Sequence, residues 1–328
     1  MAQKLFYFPQ PDSGGKYQNP YSYNFKHGLQ QFFDVVDSEK SQTKLKSLGL
    51  LTHSAAAHIY ILNWVESIPH LRFSLFQTMI VLFSLKIMKL RNSEIVWMFH
   101  NIRPHQGENW KTRLISDWLF ENASLIISHS REAANYAKKK AKCKVIYRCH
   151  PVTEIKLAEV SLKDPFDIFI WGSIYPYKGI MEFLSNPVIS QLNLKIKIIG
   201  QCTDKTLDAQ IRSYVKGHVI YENRKADYSE IAANCKSAKF VLFPYVGKCV
   251  SSSGALIDTI VMGGIPVGPK IGAFDDLSKD GVCLVYSDTE ELVRILKGNN
   301  STFSEIKRKT FISDNSWENF IENLSTVL

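Results

Sequence analysis

In residues 240–269 the sequence reads FVLFPYVGKCVSSSGALIDTIVMGGIPVGP, which parses as one strand–helix–strand unit. The apolar run 240–243, closed by Pro244, has the form of a buried strand. Ser251, Ser252, Ser253 and Gly254 then precede a second apolar run at 255–262. Serines ahead of such a run are helix-start chemistry, because their hydroxyls can satisfy unpaired backbone N–H groups. Gly263 and Gly264 can stop the helix, and Ile265-Pro266-Val267 opens the next strand. In a βαβ unit this helix N-terminus sits at the carboxyl edge of the sheet. Free N–H groups and the helix dipole favour an anion there. On this stretch alone two readings stand level: the serines only cap a helix, or they hold an anionic ligand.

Working outward, the second half keeps the same alternation. Strands are expected at 166–171, 195–199, 218–221 and 282–285. Helices are expected at 178–184, 207–215, 227–235 and 290–296, with a final amphipathic helix at 317–328. The first half alternates too, with strands at 5–8, 35–36, 57–63, 94–100, 125–128 and 145–147. Its helices are expected at 21–33, 71–90, 111–122 and 131–140. A break in pattern with mixed charge at 151–165 reads as a linker. The fold class is therefore α/β: two Rossmann-like, doubly wound parallel-sheet domains, with ligand-facing loops at each carboxyl edge and a cleft between them.

Within the second half, Phe169 to Gly179 reads FIWGSIYPYKG: a strand, a glycine, a Pro-containing turn and a lysine at a helix start. Lys178 can pair there with a diphosphate, against the plainer reading of a solvated helix lysine. No G-x-G-x-x-G follows a candidate strand, and there is no P-loop GK[ST]. A dinucleotide dehydrogenase and a P-loop kinase both lose their main support.

The chain has 328 residues, 45% of them apolar and 12% aromatic, enough for a sizeable core. Its formal net charge of +9 favours anionic partners such as phosphorylated substrates or an acidic membrane surface. With no dense basic block and no zinc-finger or RNA-recognition signature, nucleic acid ranks last. Six scattered cysteines without a CxxC pair fit a reducing cytosol. The first residues lack the pattern of a signal peptide. Residues 71–90, LRFSLFQTMIVLFSLKIMKL, are the most apolar stretch. Arg72, Gln77, Lys86 and Lys89 interrupt it, so a spanning helix is not expected against the ~20 apolar residues needed. A buried or half-buried helix is the first reading. A monotopic membrane contact, with Lys86, Lys89 and Arg91 facing anionic headgroups, is the second.

FIWGSIYPYKGI, KIKIIG, DYSEIAANCKSAKFVLFPY and SSSGALIDTIVMGGIPVGPKIGAFDDL occur in an order and spacing that resembles the GT-B glycosyltransferases, particularly the retaining group called family four. IVWMFHNIRPH and SLIISHS…CKVIYRCHP extend the resemblance more loosely over the first half. It implies an acceptor domain at 1–160, a nucleotide-sugar donor domain at 161–312, and a C-terminal helix at 313–328 packing back toward the first domain. It implies that Lys178 meets the donor diphosphate, with Ser252, Ser253, Gly254 and Ala255 offering donors to phosphate or sugar. Gly172, Ser173 and Tyr245 belong to the same donor loops. His100 matches a histidine beside the donor sugar. Arg103 and His105 are its acceptor-side neighbours, and Gly14 and Gly15 match the glycine loop near the reacting sugar. Asp12 or His100 is the candidate base.

Two features depart from the family's pattern. Ser251 and Thr259 stand where many members carry glutamates eight positions apart, and Ser173 stands where an arginine precedes the phosphate lysine. Arg224 or Lys248 are candidates to supply the lost charge, and Asp258 to reach the ribose. The resemblance implies a metal-independent transferase using a UDP- or GDP-sugar, without a cofactor. Its acceptor would be a lipid-linked saccharide of surface-polysaccharide synthesis, in the cytosol or at the inner face of the membrane. The alternatives are a catalytically silent GT-B-like binding or assembly module and a GT-B sugar-nucleotide epimerase. The epimerase would need cleft carboxylates, which are sparse here.

Overall fold

The computed structural model describes residues 3–10, 19–36, 45–102, 107–153, 165–247, 253–298 and 303–328. The chain divides into two compact units, Met1–Cys149 with Trp317–Leu328, and His150–Ser316.

The first unit contains β1 (Lys4–Phe8), α1 (Pro20–Leu29), β2 (Asp34–Val35), α2 (Lys46–His53), β3 (Ile59–Asn63), α3 (Ser74–Leu90), β4 (Glu94–Met98), α4 (Trp110–Asn122), β5 (Leu125–Ser128), α5 (Arg131–Lys138) and β6 (Lys144–Tyr147). Its six strands form one sheet in the order β2-β1-β3-β4-β5-β6, and every pairing is parallel. Strand order reverses between β1 and β3, which makes the carboxyl ends of those strands the topological switch point. β3 is buried along its whole length, as a strand covered by helices on both faces must be. On one face Leu50, Val81, Leu85, Trp97 and Ile115 pack together. On the other, Tyr7, Phe25, Ile61 and Met98 meet Trp317 and Ile321.

The second unit contains β7 (Ile168–Trp171), α6 (Ile180–Leu184), α7 (Pro187–Ser190), β8 (Ile196–Ile199), α8 (Lys205–Ser213), β9 (Val219–Glu222), α9 (Tyr228–Ser237), β10 (Phe240–Leu242), α10 (Gly254–Val261), β11 (Pro266–Pro269), α11 (Gly272–Lys279), β12 (Leu284–Tyr286), α12 (Thr289–Leu296) and α13 (Glu305–Asp314). Its parallel sheet runs β12-β11-β10-β7-β8-β9, the Rossmann order, with the switch point between β7 and β10. The last helix, α14 (Trp317–Ser325), belongs to the first unit, where Trp317 and Phe320 pack on Phe25 of α1.

Sequence patterning finds the strands readily. Helices α2, α7, α11 and α13 and a 3-10 segment at Val65–His70 were not expected. α13 buries Phe311 and little else, so it offers almost no apolar stripe to read. The helix expected at 71–90 runs over Ser74–Leu90 and is half-buried: Ile80, Val81, Leu85 and Met88 face the core, while a broad apolar face stays exposed.

Candidate functional site

In the second unit, the loops that leave β7 and β10 flank the switch point and meet. Gly172 follows β7 at φ +97°, a backbone shape that favours glycine. Gly179 closes the turn at φ +66°, and a Cβ there would lie 1.9 Å from the Pro244 carbonyl oxygen. The β7 loop therefore lies directly against the β10 loop. Between these glycines, Pro176–Lys178 forms a 3-10 turn, and α6 starts after it at Ile180. Lys178, expected at the first position of the helix, thus sits two residues ahead of it.

The Lys178 ammonium donates to the Tyr245 hydroxyl at 2.5 Å and lies 4.5 Å from the centroid of the same ring. Tyr245 Oη in turn stands 3.4 Å from Ser253 Oγ, at the N-cap of α10. Because the ammonium can only donate, the tyrosine proton is left to point toward Ser253. The Ser253 side chain makes no cap bond to the helix, so the simple capping reading fails for that residue. Tyr245 is held from behind by edge-on contacts with Phe243 and Phe274. Tyr177 meets it edge-on, and Tyr175 stacks on Tyr177. Burial pushes the Tyr177 hydroxyl up to about 12, so it remains a neutral donor at neutral pH.

One sheet edge therefore gathers an ammonium and the positive end of a helix. Among the described residues no carboxylate pairs with Lys178. The arrangement suits a di-anion with several oxygens.

The other expected donor residues fall differently. Ser173 is exposed on the β7 loop, and Gly254 and Ala255 open α10. Thr259 is fully buried. Its hydroxyl donates to the Ala255 carbonyl (2.8 Å) and accepts from Trp171 Nε1 (2.9 Å), which commits it to the fold. Arg224 is gripped by Glu222 and Glu230, so its charge is already balanced. Asp258 accepts from the Tyr228 hydroxyl at 3.2 Å, and burial raises its carboxyl to about 6. Asp12, Gly14, Gly15, Arg103, His105, Lys248, Ser251 and Ser252 lie outside the described residues.

The first unit gathers a second set at its own switch point. Asn63, at the end of β3, donates through Nδ2 to the Phe8 carbonyl at the end of β1 (3.2 Å). That fixes the amide, so Oδ1 accepts from His100 Nε2 at 3.0 Å. His100 is buried and stacks on Trp64 at 4.4 Å. Trp64 itself holds φ 50°, a left-handed backbone that costs a bulky residue energy. Nearby, His129 at the end of β5 faces the Arg148 carbonyl through Nδ1 (2.8 Å) and the Tyr21 hydroxyl through Nε2 (2.7 Å). The carbonyl can only accept, so Nδ1 carries the proton and Tyr21 donates to Nε2 in the neutral ring. Trp64, Asn63, His129 and Tyr21 were not singled out from sequence. The early sign for Asn63, Trp64 and His129 was that they sit at or beside strand ends, while Tyr21 lies in the first turn of α1. Among the described residues no cluster of three His, Cys, Asp or Glu side chains forms a metal site.

Two parallel sheets, each with polar groups gathered at its switch point, define the GT-B architecture, and the chain has that fold. No described protein family matches its sequence, and no curated protein does. Among solved structures it is similar to Anabaena HepE, determined in complex with UDP-glucose. That pair shares 12% identity over 99% of this chain and 100% of the other, with TM-score 0.66. It is similar to an E. coli trehalose-6-phosphate structure bound with UDP-2-fluoro glucose (9% identity, 98% of each chain, TM-score 0.66). It is also similar to AviGT4, a glycosyltransferase involved in avilamycin A biosynthesis (14% identity, 98% of this chain and 96% of that one, TM-score 0.60).

Proposed function

We propose that this protein is a glycosyltransferase that takes a sugar from a nucleoside diphosphate sugar, UDP- or GDP-linked. The observation that carries this reading is the placing of Lys178, tied to Tyr245, beside the N-terminus of α10 at the switch point of a Rossmann-order sheet. The similar structures described with UDP-glucose and UDP-2-fluoro glucose add to it.

In the transfer step the anomeric carbon–oxygen bond to the diphosphate breaks and a new bond forms to the acceptor hydroxyl oxygen. The departing diphosphate takes the bonding pair. Lys178 and the first N–H groups of α10 neutralise that charge where it develops, a task that needs no metal ion. The acceptor proton goes to a base, for which His100 and Asp12 are the candidates. The bond from His100 Nε2 to Asn63 and the stack on Trp64 fix that ring in place. The first unit would hold the acceptor, a lipid-linked saccharide of surface-polysaccharide synthesis, with Arg103 and His105 as contacts. A reducing, cytosolic setting suits the five described cysteines, all free thiols.

A second reading is a module that binds nucleotide sugar without transfer. It is favoured by the commitment of Thr259 to Trp171 and Ala255, which leaves that hydroxyl no ribose to hold. The two readings separate on incubation with UDP- and GDP-sugars plus extracted lipid-linked saccharides. Transferase action releases nucleotide and glycosylates the lipid, and His100→Ala lowers kcat about a hundredfold. Binding with no release in any combination supports the second reading.

A further inference from the structure

Helix α3 is 17 residues long, about 26 Å, and it turns only one side to the core. Its other side carries Leu75, Phe76, Met79, Phe83 and Leu90, each between 54% and 84% exposed. These positions fall on one stripe of the helix rather than being scattered, apolar from Leu75 to Phe83 and entered by Lys86 before Leu90. The surface continues past the helix start. Lys111 donates to Ser74 Oγ at 2.6 Å, which sets the beginning of α4 beside the first turn of α3. Exposed Trp110 and Leu114 of α4 and Phe73 join the apolar surface at that end.

The charge around this face is mostly positive. Arg72, Lys86, Lys89 and Arg91 are all exposed, and no acid occurs between Leu71 and Ser93. On α4, Glu121 is engaged by Lys142, and Glu108, just ahead of the helix, by Arg113, while Asp117, about one turn beyond Leu114, is exposed on the same side. Among the described residues no helix is long and apolar enough to cross a membrane. An apolar stripe rimmed by cations, with an exposed tryptophan at one end, has the make-up of a helix lying in a lipid interface.

We propose that the outer face of α3, with Trp110, docks this protein on an anionic lipid surface, the helix lying in the interface plane. A second copy of the chain is a poorer occupant. A two-fold contact would set the same cations against each other with no acid of the segment to meet them. The geometry also gives the docking a purpose. α3 and α4 both start at the carboxyl edge of the first sheet, where Trp64, Asn63 and His100 stand. An acceptor headgroup anchored in the membrane would emerge beside those residues. This deepens the acceptor side of the reading above and rests on it for its purpose, but not for the binding itself.

The test is co-sedimentation of the full chain with vesicles of phosphatidylcholine, alone or mixed with phosphatidylglycerol, at low and high salt. Sedimentation with the mixed vesicles, reduced by salt and weak on phosphatidylcholine alone, is expected. Phe76→Ser with Phe83→Ser should abolish it. Lys86→Gln with Arg91→Gln should weaken partitioning about fivefold per charge removed. All four positions are exposed, and retained UDP-sugar binding by the variants shows that they fold. No sedimentation with the mixed vesicles overturns the proposal, as does sedimentation that both double variants leave unchanged. A dimer in light scattering that the phenylalanine variant dissociates overturns it in favour of self-association. Nucleotide binding is measured without vesicles, so failure of the donor reading and failure of the docking are separately visible.

Discussion

Lys178 lies over the Tyr245 ring and donates to its hydroxyl, which keeps the ammonium in one place without neutralising it. A carboxylate partner would fix it as well but cancel the charge an anion needs. In this the sequence was informative: a lysine after strand, glycine and proline turn was enough to mark the position. Tyr245 as its anchor could not be read, because the contact spans the β7 and β10 loops. The opposite case is Thr259, a donor candidate by alignment. Its hydroxyl is spent on Trp171, a pairing across 88 positions that no local pattern announces. A different residue allows a pH test. Glu66 is buried against Trp97, whose Nε1 donates to it at 3.2 Å, and burial raises its carboxyl from 4.5 to about 7. Between those values the folded chain holds a proton that the unfolded chain has released. Stability therefore falls as pH rises through that window and stays low above it. Glu66→Gln removes the charged form and should add on the order of 3 kcal/mol above pH ~7, with the gain shrinking toward pH ~4.5. Thermal melts of both proteins across that range measure it, and a difference independent of pH would contradict the assignment.

Strands were the legible elements. β3 and β7 read as unbroken apolar runs because both faces are covered, and their ends carry the site. α13 and α2 were not legible because they bury few residues, Phe311 in α13 and Ser47 and Leu50 in α2. The loops between were legible only as turns. Their close approach depends on glycines whose need shows in three dimensions. Gly200, after β8, has no unusual φ, yet a Cβ on it would lie 2.0 Å from the Gly172 carbonyl oxygen. Backbone cannot yield that much, so the β7 loop must shift. Gly200→Ala should cost about 2–4 kcal/mol in urea unfolding and weaken nucleotide-sugar binding together with stability. A variant with native stability and native binding would show that the loop tolerates displacement.

At the scale of the molecule, two sheets of different strand order each place polar groups at a switch point, and the final helix joins the first unit. The alternation of elements in sequence was sufficient to see two Rossmann-like sheets. The strand orders were not readable, since they follow from which strands pair. Both candidate sites lie where those orders reverse, and the account stands on the one in the second unit. Isothermal titration of the full chain with a panel of UDP- and GDP-sugars tests it most directly. At least one should bind, and Lys178→Ala should weaken that binding about tenfold to a hundredfold, the loss of one or more charge-assisted hydrogen bonds. Failure of the whole panel to bind, or equal affinity in the alanine variant, would contradict the account.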